Sequence, residues 1–242
     1  MLRINLNHFK KIFNDDTIET IKIIRGYGFD LRVVGGAVRD LLLGHTPNDI
    51  DLVTPADPAE LIYMFNKADV LFDSKGIQHG TVKAVFGDKK IDVSCLNYHL
   101  RETDGRLVLH HTRSWKKDAD GRDLTINSMS INMDGDLFDY CNGLKDLDNQ
   151  IIRFCPQAQL KIEDDPNTIM RWFRAMTYFN SPKITKHDLE LVKKNIFRLH
   201  DIKDDDRVAK GLLTISQSKN SKSIYELMQK LGVFRELSIN GL

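Results

Sequence analysis

The chain has 242 residues, 41% hydrophobic and 29% charged, with 35 Lys and Arg against 34 Asp and Glu and a formal net charge of +1. That length holds one large domain or two modest ones, and the near-neutral balance excludes a global field for nucleic acid, so any RNA contact has to come from local basic patches. Apolar runs such as Leu41 to Leu43 are far too short to span a membrane, residues 1–5 carry no signal-peptide core, and three cysteines without paired spacing predict reduced, buried thiols in a cytoplasmic protein.

Asp15 and Asp16 are expected to cap a helix whose apolar positions Ile18, Ile21 and Ile24 recur at helical spacing, with Gly26 and Gly28 ending it. Leu31 to Val34 reads as a buried strand, and Gly35-Gly36 as a sharp turn in which the backbone can come close to a ligand. A short helix over Ala37 to Leu43, stopped by Gly44, leads to a strand over Asp49 to Val53. Asp57 and Pro58 open a helix over 59–66, and Thr81 to Phe86 pairs with Lys90 to Ser94 across Gly87-Asp88-Lys89.

Residues 97–117 are polar and read as a mobile loop, with Asp104-Gly105 as a turn signal. Leu124 to Ile131 is expected to be helical, and Leu137 to Tyr140 and Ile151 to Phe154 to be short strands. After about residue 155 the pattern is all-helical: a helix opened by Pro166 carrying Ile169, Met170, Phe173 and Met176, then helices near 188–197, 205–216 and 222–231. A mixed first part followed by a helical second part predicts two modules.

Several residue groups bear chemistry. Asp49 and Asp51, two apart on a strand, share a face, and paired carboxylates on one face suit a divalent cation such as Mg²⁺. The glycine turn beside them places backbone N–H groups where phosphate binds. Each motif alone has an ordinary explanation, a strand-to-helix turn or a solvated acid pair; their adjacency in one strand–turn–helix–strand unit points to nucleotide chemistry. Asp92, between Ile91 and Val93, is either a third acid of the same site or an exposed strand position.

Asp123 and Asn127, four apart, are expected on one helix face, where an acid and an amide suit a ribose and Arg122 reaches a phosphate; ordinary helix capping explains the same residues. Asp164-Asp165-Pro166 reads as a helix N-terminus with acids placed for the helix dipole. Arg171 and Arg174 share a helix face and suit a triphosphate or RNA backbone, or are solvated. His110-His111 lacks the companions a metal site needs, and Lys193-Lys194, Lys219 and Lys222 read as solvated faces.

Gly35-Gly36-Ala37-Val38-Arg39-Asp40 with Leu42, Leu43, Gly44, Asp49, Asp51 and Thr54 resembles the first signature of class II tRNA nucleotidyltransferases and bacterial poly(A) polymerases. Residues Arg122-Asp123-Leu124-Thr125-Ile126-Asn127-Ser128-Met129 are similar to their second signature, Asp164 to Arg174 to their Glu-Asp-Pro-x-Arg-x-Leu-Arg-Ala-x-Arg signature, and His79-Gly80-Thr81-Val82 to a recurring element. The resemblance runs over roughly residues 31–176. It implies an α+β fold: a polymerase-β-like nucleotidyltransferase head with a mixed sheet over residues 1–153, then an all-helical neck or truncated body over 154–242. It implies CCA addition to a tRNA 3′ end from ATP and CTP, with poly(A)-like tailing of other RNA as the alternative in the same chemistry. A non-catalytic nucleotide- or RNA-binding module is the alternative from another class.

By the same resemblance Asp49 and Asp51 hold two Mg²⁺ with Asp92 nearby, Gly35 and Gly36 cradle the triphosphate, and Arg39 is among the nucleotide-binding residues. Asp123 and Asn127 hold the ribose, Arg171 and Arg174 contact the phosphates, and Asp165 reads the base edge. The family's arginine partner in that reading falls at Thr168, whose single hydroxyl has no fork of donors. Gly121 and Asn97 also stand where the family has arginines, and Asp164 where it has glutamate. Family enzymes continue into body and tail domains that grip tRNA, whereas this chain ends soon after Leu231 to Phe234; a compact version, a grip supplied by a partner and a changed substrate are the alternatives.

Overall fold

The computed structural model describes residues 3–4 and 9–239. They form two compact units: one holds the described residues up to Asp120 with Asn127–Cys141, the other Gly121–Ile126 with the described residues from Asn142 onward.

The first unit is built on a seven-stranded mixed sheet. In chain order its strands are β1 (Arg32–Val34), β2 (Asp51–Thr54), β3 (Leu71–Asp73), β4 (Thr81–Phe86), β5 (Lys89–Cys95), β8 (Ser130–Asn132) and β9 (Leu137–Phe138), in the spatial order β3-β4-β5-β2-β1-β8-β9. β1 is antiparallel to both neighbours, while β2 and β5 run parallel. Val33, Leu52, Val82, Val93 and Ile131 are fully buried strand residues, each contributing about 1.5–3 kcal/mol by leaving water.

Three helices serve this sheet: α1 (Asp15–Gly26), α2 (Gly36–Leu42) and α3 (Pro58–Lys67). Asn14, rather than Asp15 or Asp16, caps α1, its Oδ1 accepting from the Thr17 N–H at 2.8 Å; the two acids fall in the first turn, where the helix dipole favours them. In α3 Asp57 and Glu60 close a reciprocal capping box behind Pro58, and Leu61, Met64 and Phe65 supply the buried face.

The segment expected to be a mobile loop is ordered. β6 (Asn97–Arg101) and β7 (Leu107–His111) pair in antiparallel register about the Asp104-Gly105 turn, and helix α4 (Trp115–Asp120) follows. Cross-strand contacts compensate for the low apolar content: the Tyr98 and His110 rings lie 5.7 Å apart, and His110 Nε2 is 2.7 Å from Glu102 Oε1. The helix expected over 124–131 is also absent. Thr125–Asn127 forms a single 3₁₀ turn, and Ser130–Asn132 is β8, with Ile131 paired to Val33. A strand site beside β1 overrode the local pattern. Leu137 and Phe138 alone form β9, which stops short of Tyr140.

The second unit is mainly helical: α5 (Gly143–Asp148), α6 (Ala158–Asp164), α7 (Asn167–Ala175), α8 (Lys186–Asn195), α9 (Asp206–Ser216), α10 (Ser221–Leu231) and α11 (Val233–Glu236). The expected strand over 151–154 is reduced to β10 (Ile151–Ile152), which pairs in parallel with β11 (Lys183–Ile184), so the stretch after residue 155 is not wholly helical. Trp172, Phe173 and Ile169 of α7 are fully buried, with Trp172 stacked on Phe154 at 6.0 Å. Asp164 closes α6 and Asp165 is extended, so these acids lie between two helices rather than in the first turn of one. All three cysteines are buried and free, and burial pushes the Cys95 thiol up to about 12.

Candidate active site

In the first unit the glycine turn follows directly from backbone geometry. Gly35 has φ 74 and ψ −139, a conformation that residues with a Cβ do not adopt without strain. At Gly36 a Cβ would stand 3.4 Å from Arg39 Nη2, in ordinary contact with the guanidinium that lies along the turn. Arg39 is itself buried: Nε and Nη2 donate to Asp40 Oδ1 at 2.9 and 2.7 Å, and Nη1 donates to Asn127 Oδ1 at 2.8 Å. Arg39 is among the residues expected to bind nucleotide, and its direct partners among the described residues include Asp40 and Asn127.

Sheet register brings the acids to this turn. Val34, the residue before Gly35, is the partner of Asp51 in the β1–β2 pair. On the other side of β2, Leu52 pairs in parallel with Val93, so Asp51 and Asp92, one step earlier on each strand, point to the same face. Asp49 precedes β2 rather than belonging to it, because the strand begins at Asp51. Asp49, Asp51 and Asp92 nevertheless line one recess of about 630 Å³, together with Asn14, Asn48 and Lys90. Asp92 is ion-paired to Lys83, its cross-strand partner, and Lys90 Nζ donates to Asp73 Oδ2 at 2.9 Å. Sequence reading passed over both lysines; alternation along the hairpin was the signal that places Lys83 opposite Asp92.

Carboxylate oxygens are the hard donors that a small divalent cation takes, and the exposed Asp49 and Asp51 on one recess fit such an ion. Among the described residues no cluster of three or more His, Cys, Asp or Glu side chains is gathered closely enough to hold a metal.

In the second unit, Arg171 Nη1 donates to Asp123 Oδ2 at 3.4 Å, while Asp123 Oδ1 accepts from the Leu124 N–H at 2.7 Å. Asp123 thus lies in a bend just before the 3₁₀ turn, not on a helix face shared with Asn127, and the two residues fall in different units. Arg122 precedes it, and Arg171 and Arg174 are half-buried on α7 as their spacing predicts. Thr168 is buried and its Oγ1 has no hydrogen-bond partner among the described residues. Asp165 Oδ1 accepts from the Asn167 N–H at 3.2 Å, and its Oδ2 accepts from Arg207 Nη1 at 3.0 Å. Arg207, at the start of α9, was not picked out as a site residue from the sequence; no local periodicity links positions 165 and 207.

A glycine turn and strand-borne acids on a mixed sheet, followed by a helical unit rich in paired arginines, define a nucleotidyltransferase-type head and neck. The chain belongs to the poly(A) polymerase head-domain family, whose model, described as the Poly A polymerase head domain, matches residues 31–153. It is 35% identical over 236 residues to the mitochondrial CCA tRNA nucleotidyltransferase 1 of Danio rerio, covering 96% of this chain and 54% of that protein. It is 31% identical over 174 residues to the CCA-adding enzyme of Lactobacillus johnsonii, covering 71% and 42% respectively. The crystal structure of a tRNA nucleotidyltransferase complexed with a primer tRNA and an incoming ATP analog matches with a TM-score of 0.67 at 28% identity, over 92% of this chain and 63% of that one. The chain spans about half the length of the curated relatives it matches.

Proposed function

We propose that this protein is a Mg²⁺-dependent, template-independent RNA nucleotidyltransferase that adds C and A nucleotides to tRNA 3′ ends and releases pyrophosphate. The observation that carries the proposal is the register placing Asp51 beside both Val34 and Asp92, which sets a glycine turn and two strand-borne acids at one end of the central strands. The names of the relatives support the CCA end as the product, and similar solved structures holding an ATP analog or CTP support these as the nucleotides. A head over residues 1–153 and a helical neck over 154–242 form part of the same proposal.

Asp49 and Asp51 would hold the cation. When bound, a divalent cation lowers the pKa of the RNA 3′-hydroxyl and neutralises charge on the leaving pyrophosphate. Asp92, ion-paired to Lys83, extends the acidic wall of the recess. Gly35 and Gly36 leave room for the triphosphate against the backbone. Arg39 turns the carbonyl end of the Asn127 amide toward itself, directing the NH₂ end the other way for the ribose. In the second unit Arg122, Arg171 and Arg174 serve the phosphates, with Asp123 steadying Arg171, and Asp165 serves the base.

The deciding experiment is 3′-end sequencing of tRNA ending before CCA, at C or at CC, and of an unstructured RNA. Each is incubated with Mg²⁺ and all four nucleotides beside the Asp49→Ala/Asp51→Ala double variant. Additions that stop at CCA on tRNA and vanish in the double variant support the proposal. Open-ended A tails on any RNA would move the reading to poly(A)-type tailing, which the family's head-domain description favours. Mg²⁺-dependent nucleotide binding without addition would favour a non-catalytic module. No helix among the described residues is long and apolar enough to cross a membrane. The cytoplasm is the proposed location, and the mitochondrion named for the vertebrate relatives is its rival.

A further inference from the structure

Building on the nucleotidyltransferase reading, we infer that Arg207 is the base-selecting partner of Asp165, and that this pair favours C and A over U and G. Asp165 sits in extended backbone between α6 and α7, with one carboxylate oxygen held by the Asn167 N–H and the other accepting from Arg207 Nη1 at 3.0 Å. Arg207 is clamped from behind. Its Nε donates to Asp205 Oδ1 and Oδ2 at 3.1 and 2.9 Å, and its Nη2 donates to Asp205 Oδ2 at 2.6 Å. These bonds also hold the Asp205 carboxyl below its ordinary value.

A guanidinium has five N–H donors in a rigid fork. Asp205 and Asp165 engage Nε and one hydrogen on each Nη, leaving two donors without a partner among the described residues on a side chain that is 49% exposed. Thr168 is the opposite case. It is 1% exposed, its hydroxyl has no partner among the described residues, and it lies among the buried residues of α7, so no donor from that position reaches a ligand.

The selectivity follows from the bases. On their pairing edges C and A each present an exocyclic amine beside an unprotonated ring nitrogen, whereas U and G present a carbonyl beside a ring N–H. A carboxylate accepts from the amine while a neighbouring guanidinium donates to the ring nitrogen, satisfying C and A together. With U or G the carboxylate meets a carbonyl oxygen and the guanidinium meets an N–H, so both contacts are lost. Because Asp205 fixes the fork in advance, little side-chain freedom is left to lose on binding.

The test is calorimetric titration of the whole protein with CTP, ATP, UTP and GTP in Mg²⁺, for wild type, Arg207→Gln, Arg207→Lys and Asp205→Asn. Single-nucleotide addition to tRNA is measured in parallel. Wild type is expected to bind CTP and ATP at least tenfold more tightly than UTP and GTP. Arg207→Gln should narrow that gap to within about threefold by weakening CTP and ATP while leaving UTP unchanged, and Arg207→Lys, which keeps charge without the fork, should fall between. Should Arg207→Gln fail to fold, Asp205→Asn, which loosens the fork and keeps the arginine, must also narrow the gap. An unchanged gap in these variants, or an equal loss for all four nucleotides, overturns the inference. Wild type that binds all four alike yet extends tRNA sinks this inference and leaves the enzymatic reading standing; wild type that binds none of them sinks both.

Discussion

Arg39 donates from Nη1 to Asn127 Oδ1 at 2.8 Å, joining the helix that follows the glycine turn to a residue 88 positions further along the chain. With Asp40 held by the other edge of the same guanidinium, a buried cation becomes the link between two motifs that read as separate in the sequence. Asn127→Ala removes an acceptor from a buried charge, which costs about 1–3 kcal/mol. Arg39→Met strips both partners at once and is expected to cost more, about 3–5 kcal/mol. Urea denaturation of the two variants checks the order; Arg39→Met no less stable than Asn127→Ala would break the link.

The two glycines of the turn should respond differently. Gly35 occupies a backbone region closed to other residues, so Gly35→Ala is expected to lose about 1–3 kcal/mol of stability and to disturb nucleotide binding. Gly36 has helical backbone, and its added Cβ would meet only the Arg39 guanidinium, at 3.4 Å. Gly36→Ala should therefore cost less in thermal melting.

Asp49 and Asp51 are exposed at the mouth of their recess. Neutralising them in Asp49→Asn/Asp51→Asn is expected to shift the melting temperature by no more than a few degrees. Nucleotide addition should fall by at least about two orders of magnitude, the scale of lost metal-ion assistance. A double variant that retains full Mg²⁺-dependent addition would remove these acids from the site.

Asp188 supplies a pH dependence. Burial pushes its carboxyl above the ordinary value, against hydrogen bonds from Thr185 and from the Phe154 N–H. A carboxyl raised on folding binds more protons in the folded state, so its contribution to stability is present in acid and falls as pH climbs upward from 3.8 through the folded value. Asp188→Asn keeps an acceptor for Phe154 and should flatten that fall in denaturation curves taken across the acid range. A slope as steep in the variant as in wild type would assign the dependence to other groups.

Short-range chemistry made much of this protein legible from sequence alone. The glycine turn, the hairpin about Gly87, the Asp57-Pro58 helix start and the apolar face of α7 depend on residues only a few positions apart, where backbone sterics and capping decide. The motif residues could be picked out for the same reason: their spacing is local. Pairing across distance is a different matter. Ser130–Asn132 became a strand because β1 had an open edge beside Ile131, and residues 97–111 became a ribbon because Tyr98, His110 and Glu102 met across it. Asp165 and Arg207, 42 residues apart, met only through the packing of their helices. The candidate residues are legible in the sequence because each motif is local. The tertiary structure decided which of them touch, because register and helix packing are set by contacts that no local window contains.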